Sequence, residues 1–185
     1  MENIKKVETY TIKNNWLTTS TKPMPIYDEG HELIGYVKKS YKSLGEKIFA
    51  FFGRPLFINL QAEDLDGNIH IRIIQTRCFL KRAEWKVELY LNQQTEISFI
   101  LRDNSLITAG QKLVFEFKGR KITMENNHMN YQTRFIDNNN YVIAQCDIEG
   151  IPNIYFNIRV FKPELDIYQI AALGLVHYYW SRPVL

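Results

Sequence analysis

Most of this chain consists of short runs in which apolar and polar residues alternate, each followed by a polar turn signal. In "NIHIRIIQTR", for example, Ile69, Ile71 and Ile73 alternate with His70 and Arg72. A period of two residues is typical of β-strands that bury one face. The pattern predicts roughly a dozen strands, the number and spacing expected of an all-β sandwich or barrel.

Turn residues separate these runs at Asp28–Gly30, Asp66–Gly67, Asn92–Gln94 and Asp137–Asn140. Asp, Asn and Gly favour turns because they tolerate left-handed backbone or hydrogen-bond their own main chain. No Pro- or Ser-rich linker divides the chain. We therefore expect a single domain over residues 1–185, with residues 1–22 as a peripheral strand or arm.

The C-terminal run "LDIYQIAALGLVHYYW", residues 165–180, breaks the alternation. Pro163 before it and Pro183 after it are typical of helix boundaries. The run is apolar on nearly every side, so the helix is enclosed by protein, inserted in lipid or packed on one sheet face. Its length of about 24 Å is short of the roughly 30 Å bilayer core. Because Ala172 and Gly174 also suit close packing, we favour enclosure by protein.

A shell of strands with one apolar C-terminal helix resembles the tubby C-terminal-like fold of tubby proteins, LURP-one-related proteins and, as proposed, phospholipid scramblases. The residues that carry the resemblance are "YDEGHELIGYVKKS", "EDLDGNIHIRIIQTR", the Trp in "KRAEWKVEL" and "RVFKPELDIYQIAALGLVHYYW". They span Met24 to Trp180. The resemblance implies an all-β fold, a closed or nearly closed barrel of roughly twelve strands around the C-terminal helix. It also implies binding rather than catalysis, since tubby proteins bind phosphoinositides through basic residues of the barrel.

Composition narrows the possible partners. Apolar residues make up 45% of the chain and aromatic residues 14%, which favours a β-rich interior. The net charge of +3 is too small to indicate nucleic-acid binding. Cys78 and Cys146 cannot form a disulfide framework, and the N-terminus has no signal-peptide core. We expect a cytoplasmic protein, peripheral to the membrane if it binds lipid.

Motifs of catalysis and metal binding are missing from the sequence. The four histidines have no metal-ligand spacing, and no nucleophile or phosphate-loop motif occurs. His177 in the apolar helix is expected to be a core histidine bonded to a carbonyl group. The sequence therefore predicts no enzyme, no metal and no cofactor, with an enzyme that uses Cys78 as the least favoured class.

The segment "YVKKSYKSLGEKIFAFFGRP" is the main functional candidate, because it combines cations with aromatic residues against Glu46 alone. The predicted ligand-binding residues are Lys38, Lys39, Lys42, Lys47 and Arg54. The predicted membrane-contact residues are Phe49, Phe51 and Phe52. Such a surface suits anionic lipid, because each cation near the membrane contributes about 1 kcal/mol. In the alternative, the phenylalanines cover one end of the barrel, the lysines are solvated, and the protein is a structural or protein-interaction domain without lipid affinity.

Overall fold

The computed structural model describes residues 7–14, 20–41, 58–77, 82–105, 111–127, 132–149 and 154–181. These residues form twelve strands and one helix. The elements are β1 (Glu8–Asn14), β2 (Met24–Tyr27), β3 (Leu33–Ser40), β4 (Asn59–Asp64), β5 (Ile69–Arg77), β6 (Glu84–Leu91), β7 (Gln94–Asp103), β8 (Lys112–Phe117), β9 (Arg120–Asn127), β10 (Gln132–Ile136), β11 (Val142–Glu149), β12 (Ile154–Val160) and α1 (Ile167–Ser181).

Each strand pairs antiparallel with the next strand along the chain, and β1 closes the sheet by pairing with both β2 and β12. The predicted barrel around one C-terminal helix is therefore confirmed. β1 comes from the segment expected to be peripheral. It is an integral barrel strand, paired with β12 from Glu8↔Val160 to Asn14↔Ile154.

The hairpin turns form where the turn residues predicted them. The Asp28 carboxylate accepts hydrogen bonds from the main-chain N–H groups of Gly30 and Glu32, at 2.9 and 2.8 Å. Asn92 and Gln93 join β6 to β7 with φ values of 50° and 65°, the left-handed conformations of a tight two-residue hairpin turn. Local side-chain chemistry thus sets the ends of the strands.

The helix α1 lies inside the barrel, and every residue from Ile170 to Tyr179 is buried. This confirms the enclosure that its apolar circumference predicted. Gly174 allows the close approach: a Cβ atom there would lie 3.0 Å from both Cys146 Sγ and Phe156 Cζ. Among the described residues, no helix is both long enough and apolar enough to span a membrane.

Asp166 and Gln169 cap the start of α1. The Asp166 carboxylate accepts a hydrogen bond from Gln169 N at 2.8 Å, and the Gln169 side-chain oxygen accepts one from Asp166 N at 3.3 Å. This reciprocal pair satisfies main-chain donors that a helix start leaves unpaired. Tyr168, in the same turn, donates a hydrogen bond to the carbonyl oxygen of Ile34 at 2.8 Å and fixes α1 against β3.

Gly35 on β3 is required by the packing of α1. A Cβ atom at this position would lie 2.3 Å from the Glu63 carbonyl oxygen and 2.7 Å from Tyr168 Cε1. Both distances are far below van der Waals contact, and the first involves main chain that cannot rotate away. The helix therefore enters the barrel over a residue without a side chain.

His177 is fully buried and bonded to a main-chain carbonyl, as the sequence predicted. Its Nε2 lies 3.3 Å from the carbonyl oxygen of Gln111, and its Nδ1 lies 3.0 Å from the Thr133 hydroxyl oxygen. In the neutral tautomer that satisfies both contacts, Nε2–H donates and Nδ1 accepts. Burial lowers the pKa of His177 to about 4, which favours this neutral form.

Candidate functional site

The antiparallel order of the strands divides the connections between the two ends of the barrel. The connections β2–β3, β4–β5, β6–β7, β8–β9, β10–β11 and β12–α1 lie at the end where α1 begins. The remaining connections lie at the end where α1 finishes. We call the first the acidic end and the second the basic end, for the charges described next.

The acidic end carries most of the turn carboxylates. Its carboxylate residues are Asp28, Glu29, Glu32, Asp64, Asp66, Asp137, Glu164 and Asp166. Against them its turns carry Lys118 and Lys162, and Lys162 Nζ lies 3.5 Å from an Asp137 carboxylate oxygen. This end of the barrel therefore has a negative excess.

The connections at the basic end carry mainly positive charge, in contrast to those at the acidic end. The described residues of its connections include Lys22 and Arg82, both exposed, and no carboxylate. The strand ends next to these connections carry both signs of charge: Lys13, Lys38 and Lys39 on β1 and β3, and Glu84, Asp103 and Glu149 on β6, β7 and β11. In the sequence, the parts of these connections outside the described residues contain Lys42, Lys47, Arg54 and Lys81 against Glu46 alone. The candidate residues Lys42, Lys47, Phe49, Phe51, Phe52 and Arg54 lie outside the described residues.

Lys38 and Lys39, which the sequence analysis placed in one cluster, lie on opposite faces of β3. The Lys38 ammonium forms an ion pair with the Glu63 carboxylate on the outside of the barrel. The Lys39 ammonium lies over the ring of Tyr179, 3.3 Å from its centroid. The separation follows from the two-residue period of a strand, which points neighbouring side chains to opposite faces. The structure therefore brings Lys39, and not Lys38, to the C-terminal end of α1.

The charge separation matches the direction of α1. Carboxylates near a helix start and cations near its end are both favoured by the helix dipole, and each adds about 0.3 to 1 kcal/mol. Asp166 and Lys39 occupy these two positions.

The two ends of the barrel are far enough apart for salt to screen their charges from each other. The 15 residues of α1 span about 22 Å, well beyond the Debye length of about 8 Å at physiological salt. The acidic end therefore does not cancel the field of the basic end.

Ion pairs neutralise much of the outer wall between the two ends. Arg159 pairs with Asp147 at 2.6 Å, and Arg134 pairs with Glu125 at 2.9 Å. Lys112 adds a second cation to Glu125, at 3.5 Å. On this wall Arg159 and Asp147 therefore balance each other, whereas Glu125 is shared by two cations.

The acidic end holds a cluster of titratable groups around His70. The His70 ring stacks on Tyr168 with centroids 4.1 Å apart. Its Nε2 lies 3.4 Å from the Asp64 carboxylate, and its Nδ1 lies 3.6 Å from the Asp166 carboxylate. Burial raises the pKa of Asp166, although its hydrogen bond from Gln169 and its contact with His70 act in the opposite direction. The cluster joins the β4–β5 hairpin to the start of α1, so its role is structural.

The described residues give no indication of catalysis or metal binding. Within the described ranges, no group of three or more His, Cys, Asp or Glu residues could hold a metal ion. Cys146 is buried inside the barrel. Burial, and to a smaller extent the nearby Asp147, raises the pKa of its thiol well above the ordinary value. A neutral, enclosed thiol is a poor nucleophile.

The closed barrel around one helix agrees with the comparison with known families. A family model described as "Tubby C-terminal like domain" matches residues 10–180. This chain belongs to that family. The Tubby C-terminal-like domain is a non-enzymatic binding fold whose members commonly bind phosphoinositides or proteins.

One solved structure similar to this Tubby C-terminal-like domain is that of a protein from Arabidopsis thaliana. The two share 13% sequence identity with a TM-score of 0.59, over 95% of this chain and 92% of the Arabidopsis chain. At this identity the likeness shows the fold alone. In the search of curated proteins, no sequence matched this chain.

The sequence alone did not assign Lys22 and Arg82 to the candidate site, although the distribution of charge along the chain indicated it. Carboxylates concentrate in every second connection along the chain, and cations concentrate in the connections between. In an antiparallel barrel such an alternation places each sign of charge at one end. The alternation of charge along the chain can be assigned to the two ends of the barrel only once the strand order is known.

Proposed function

We propose that this domain is a non-enzymatic module that binds anionic ligands, lipid head groups foremost, at the basic end of the barrel. The observation that carries the proposal is the separation of charge between the two ends. A membrane surface is an array of anions, and a barrel end with an excess of cations in its connections could contact several of them at once. On this proposal the protein works in the cytoplasm as a peripheral membrane protein.

The energetics favour a salt-sensitive attachment. Each cation close to an anionic membrane contributes about 1 kcal/mol, so Lys42, Lys47 and Arg54 together contribute about 3 kcal/mol. Phe49, Phe51 and Phe52 lie within four residues of sequence, and inserted rings would add hydrophobic attachment. The electrostatic part weakens in high salt, because the Debye length falls to about 3 Å at 1 M.

Vesicle sedimentation tests the proposal with a matched pair of variants. The test variant replaces three cations of the basic end: Lys42→Gln, Lys47→Gln and Arg54→Gln. The control replaces three cations at or next to the acidic end: Lys118→Gln, Arg120→Gln and Lys162→Gln. The probes are vesicles of phosphatidylserine with phosphatidylcholine, and vesicles of phosphatidylcholine alone.

We expect the unmodified protein to sediment with phosphatidylserine vesicles and to be released by high salt. The test variant should bind roughly a hundredfold more weakly, the equivalent of about 3 kcal/mol, with an unchanged melting temperature. The control should bind like the unmodified protein. Equal losses in both variants would mean that net charge, and not the basic end, controls binding, and the proposal would be wrong.

A protein-interaction domain without lipid affinity is the second candidate, and the engagement of two candidate lysines favours it. Lys38 already pairs with Glu63, and Lys39 already lies over Tyr179. Binding a lipid phosphate with either cation would first disrupt one of these contacts. A protein that stays in the supernatant with both kinds of vesicle would support this second function.

A further inference from the structure

Exposed apolar side chains are concentrated at the acidic end of the barrel. Among the described residues, the exposed large apolar side chains are Val7, Leu65, Leu91, Tyr141 and Tyr155. All but Tyr155 lie at the acidic end: Val7 precedes β1, Leu91 ends β6, and the other two lie in the β4–β5 and β10–β11 turns. Single exposed apolar residues are ordinary, but a group of them bordered by polar residues is typical of an interaction surface.

Three of these side chains belong to one continuous sector of that end. Val7 lies at the start of β1, and Leu65 and Leu91 lie at turns that follow it around the barrel, because the strands pair in chain order. A hydrogen bond from Gln93 Nε2 to Asn68 Oδ1 joins the β4–β5 turn to the β6–β7 turn. We call residues 7–10, 27–34, 63–70 and 90–95 the acidic sector.

The acidic sector has a clear excess of negative charge. Its described residues include no lysine and no arginine. Lys38 pairs with one of its carboxylates, that of Glu63, and His70 lies 3.4 Å from another, that of Asp64. The excess remains after both contacts, since the carboxylate residues of the sector are Glu8, Asp28, Glu29, Glu32, Glu63, Asp64 and Asp66.

The negative potential of this sector acts on Tyr10. The Tyr10 hydroxyl donates a hydrogen bond to the Glu8 carboxylate at 2.9 Å. Burial raises the pKa of Tyr10 to about 12, together with this hydrogen bond and the charges of Glu8, Asp28 and Glu29. A site that disfavours a further anion is a poor surface for anionic lipid or nucleic acid and a good one for a cationic partner.

We infer that the acidic sector binds a segment of a partner protein in which lysine or arginine residues lie next to apolar residues. The cations of the segment would pair with the exposed carboxylates, and its apolar side chains would cover Leu65 and Leu91, which are 56% and 57% exposed. A metal ion or a polyamine would satisfy the charge but leave both leucines in water.

A second copy of this chain fits the acidic sector less well than a different protein does. Its basic end would supply cations, but none of the exposed large apolar side chains lies in the described connections of that end. The inference does not depend on lipid binding at the basic end. Because α1 separates the two ends by about 22 Å, one molecule could bind a partner protein and a membrane at the same time.

Three short labelled peptides test the inference by fluorescence anisotropy. The first alternates lysine with leucine, the second has glutamate in place of each lysine, and the third has serine in place of each leucine. Amide chemical shifts of the isotope-labelled protein locate the binding site. We expect the lysine–leucine peptide to bind best, with shifts concentrated in the acidic sector, and we expect high salt to weaken its binding.

Two pairs of substitutions separate the charge contribution from the apolar one. Glu29→Gln with Glu32→Gln should weaken binding of the lysine–leucine peptide about fivefold, because two exposed charge contacts are lost. The matched control replaces two exposed carboxylates outside the sector, Glu116→Gln with Glu149→Gln, and should change affinity less than twofold.

Leu65→Ser with Leu91→Ser should weaken binding of the same peptide about tenfold, because the apolar contact area is lost. The control Tyr155→Ser, at the exposed apolar residue outside the acidic end, should change affinity less than twofold. All of these residues are exposed, so the melting temperature should stay unchanged.

Equal binding of the glutamate peptide would overturn the choice of a basic partner. Equal binding of the serine peptide would overturn the role of the leucines. No binding of any peptide, or shifts concentrated outside the acidic sector, would overturn the inference as a whole. Shifts in the acidic sector that grow with protein concentration alone would assign it to a second copy of this chain and overturn the choice of a different protein.

Discussion

Acidification below pH 7 should destabilise this domain first at its buried histidine, His177. The imidazole is fully buried, with the Thr133 hydroxyl and the Gln111 carbonyl as its hydrogen-bond partners. Burial lowers its pKa in the folded protein to about 4; the bond to Gln111 and the field of Asp103 oppose this shift but do not offset it. In the unfolded chain the imidazole is solvated, with an ordinary pKa of about 6.5.

The magnitude follows from the difference between these two pKa values. Between pH 6.5 and pH 4 the unfolded state binds more protons at His177 than the folded state does, so stability falls as the pH falls. Each pKa unit corresponds to about 1.4 kcal/mol. The loss attributable to His177 is therefore about 2 kcal/mol at pH 5 and about 3 kcal/mol at pH 4. Above about pH 7 the residue has no effect on the pH dependence.

Denaturant unfolding followed by tryptophan fluorescence measures this loss. Free energies of unfolding would be determined at intervals from about pH 7.5 to pH 4 for the unmodified protein and for His177→Gln, whose neutral amide does not titrate. We expect the variant to be less stable at pH 7.5 and to show a flatter pH dependence, so that the two curves converge as the pH falls. His31→Gln, at an exposed turn histidine, is the control and should reproduce the slope of the unmodified protein.

Parallel curves for the unmodified protein and His177→Gln would refute the reasoning. They would mean that His177 is protonated in the folded state or that water reaches it. A flatter curve for His31→Gln would locate the pH dependence at the barrel surface instead.

Three further predictions concern packing, capping and thiol chemistry. Gly35→Ala should lower the free energy of unfolding by about 3 kcal/mol, because the added Cβ atom would overlap main-chain atoms. The control Gly30→Ala, in an exposed turn, should lower the free energy of unfolding far less. Equal decreases for the two variants would contradict the close packing at Gly35. Asp166→Ala should lower the free energy of unfolding by about 1 kcal/mol, and Asp166→Asn by much less, because asparagine also caps a helix. Equal decreases for the two variants in denaturant unfolding would exclude a capping role. In a Cys78→Ser background, Cys146 should react with a thiol reagent only as fast as the protein unfolds, and labelling faster than unfolding would contradict its enclosure.

Local signals in the sequence were sufficient to predict the strands and the helix. The Asp28 turn and the Asn92–Gln93 turn form because their side chains and backbone preferences act over a few residues. The apolar circumference of α1 indicated enclosure for an equally local reason, since no surface helix tolerates it. These features do not depend on which strand lies beside which.

Features that depend on strand pairing could not be predicted in the same way. The alternation in β7 looks like that of any other strand, and nothing in it marks Leu101 as the point where pairing with β8 ends. The grouping of Lys38 with Lys39 in one cluster could have been corrected from the sequence alone. The two-residue period of a strand already places neighbouring side chains on opposite faces. The remaining candidates, Lys42 to Arg54, stay a prediction.

The size of the barrel explains why a ligand would bind outside it and not within it. Twelve strands about 4.8 Å apart, tilted about 40° from the axis, give a barrel radius of about 12 Å. A helix with its side chains has a radius of about 5 to 6 Å, and the inward side chains of a sheet add about 5 Å. The sum, about 10 to 11 Å, nearly equals the barrel radius, so α1 occupies the space that a ligand would take in a hollow barrel. The proposed ligand would therefore bind on a surface that α1 does not fill, such as the barrel end where its C-terminus meets Lys39.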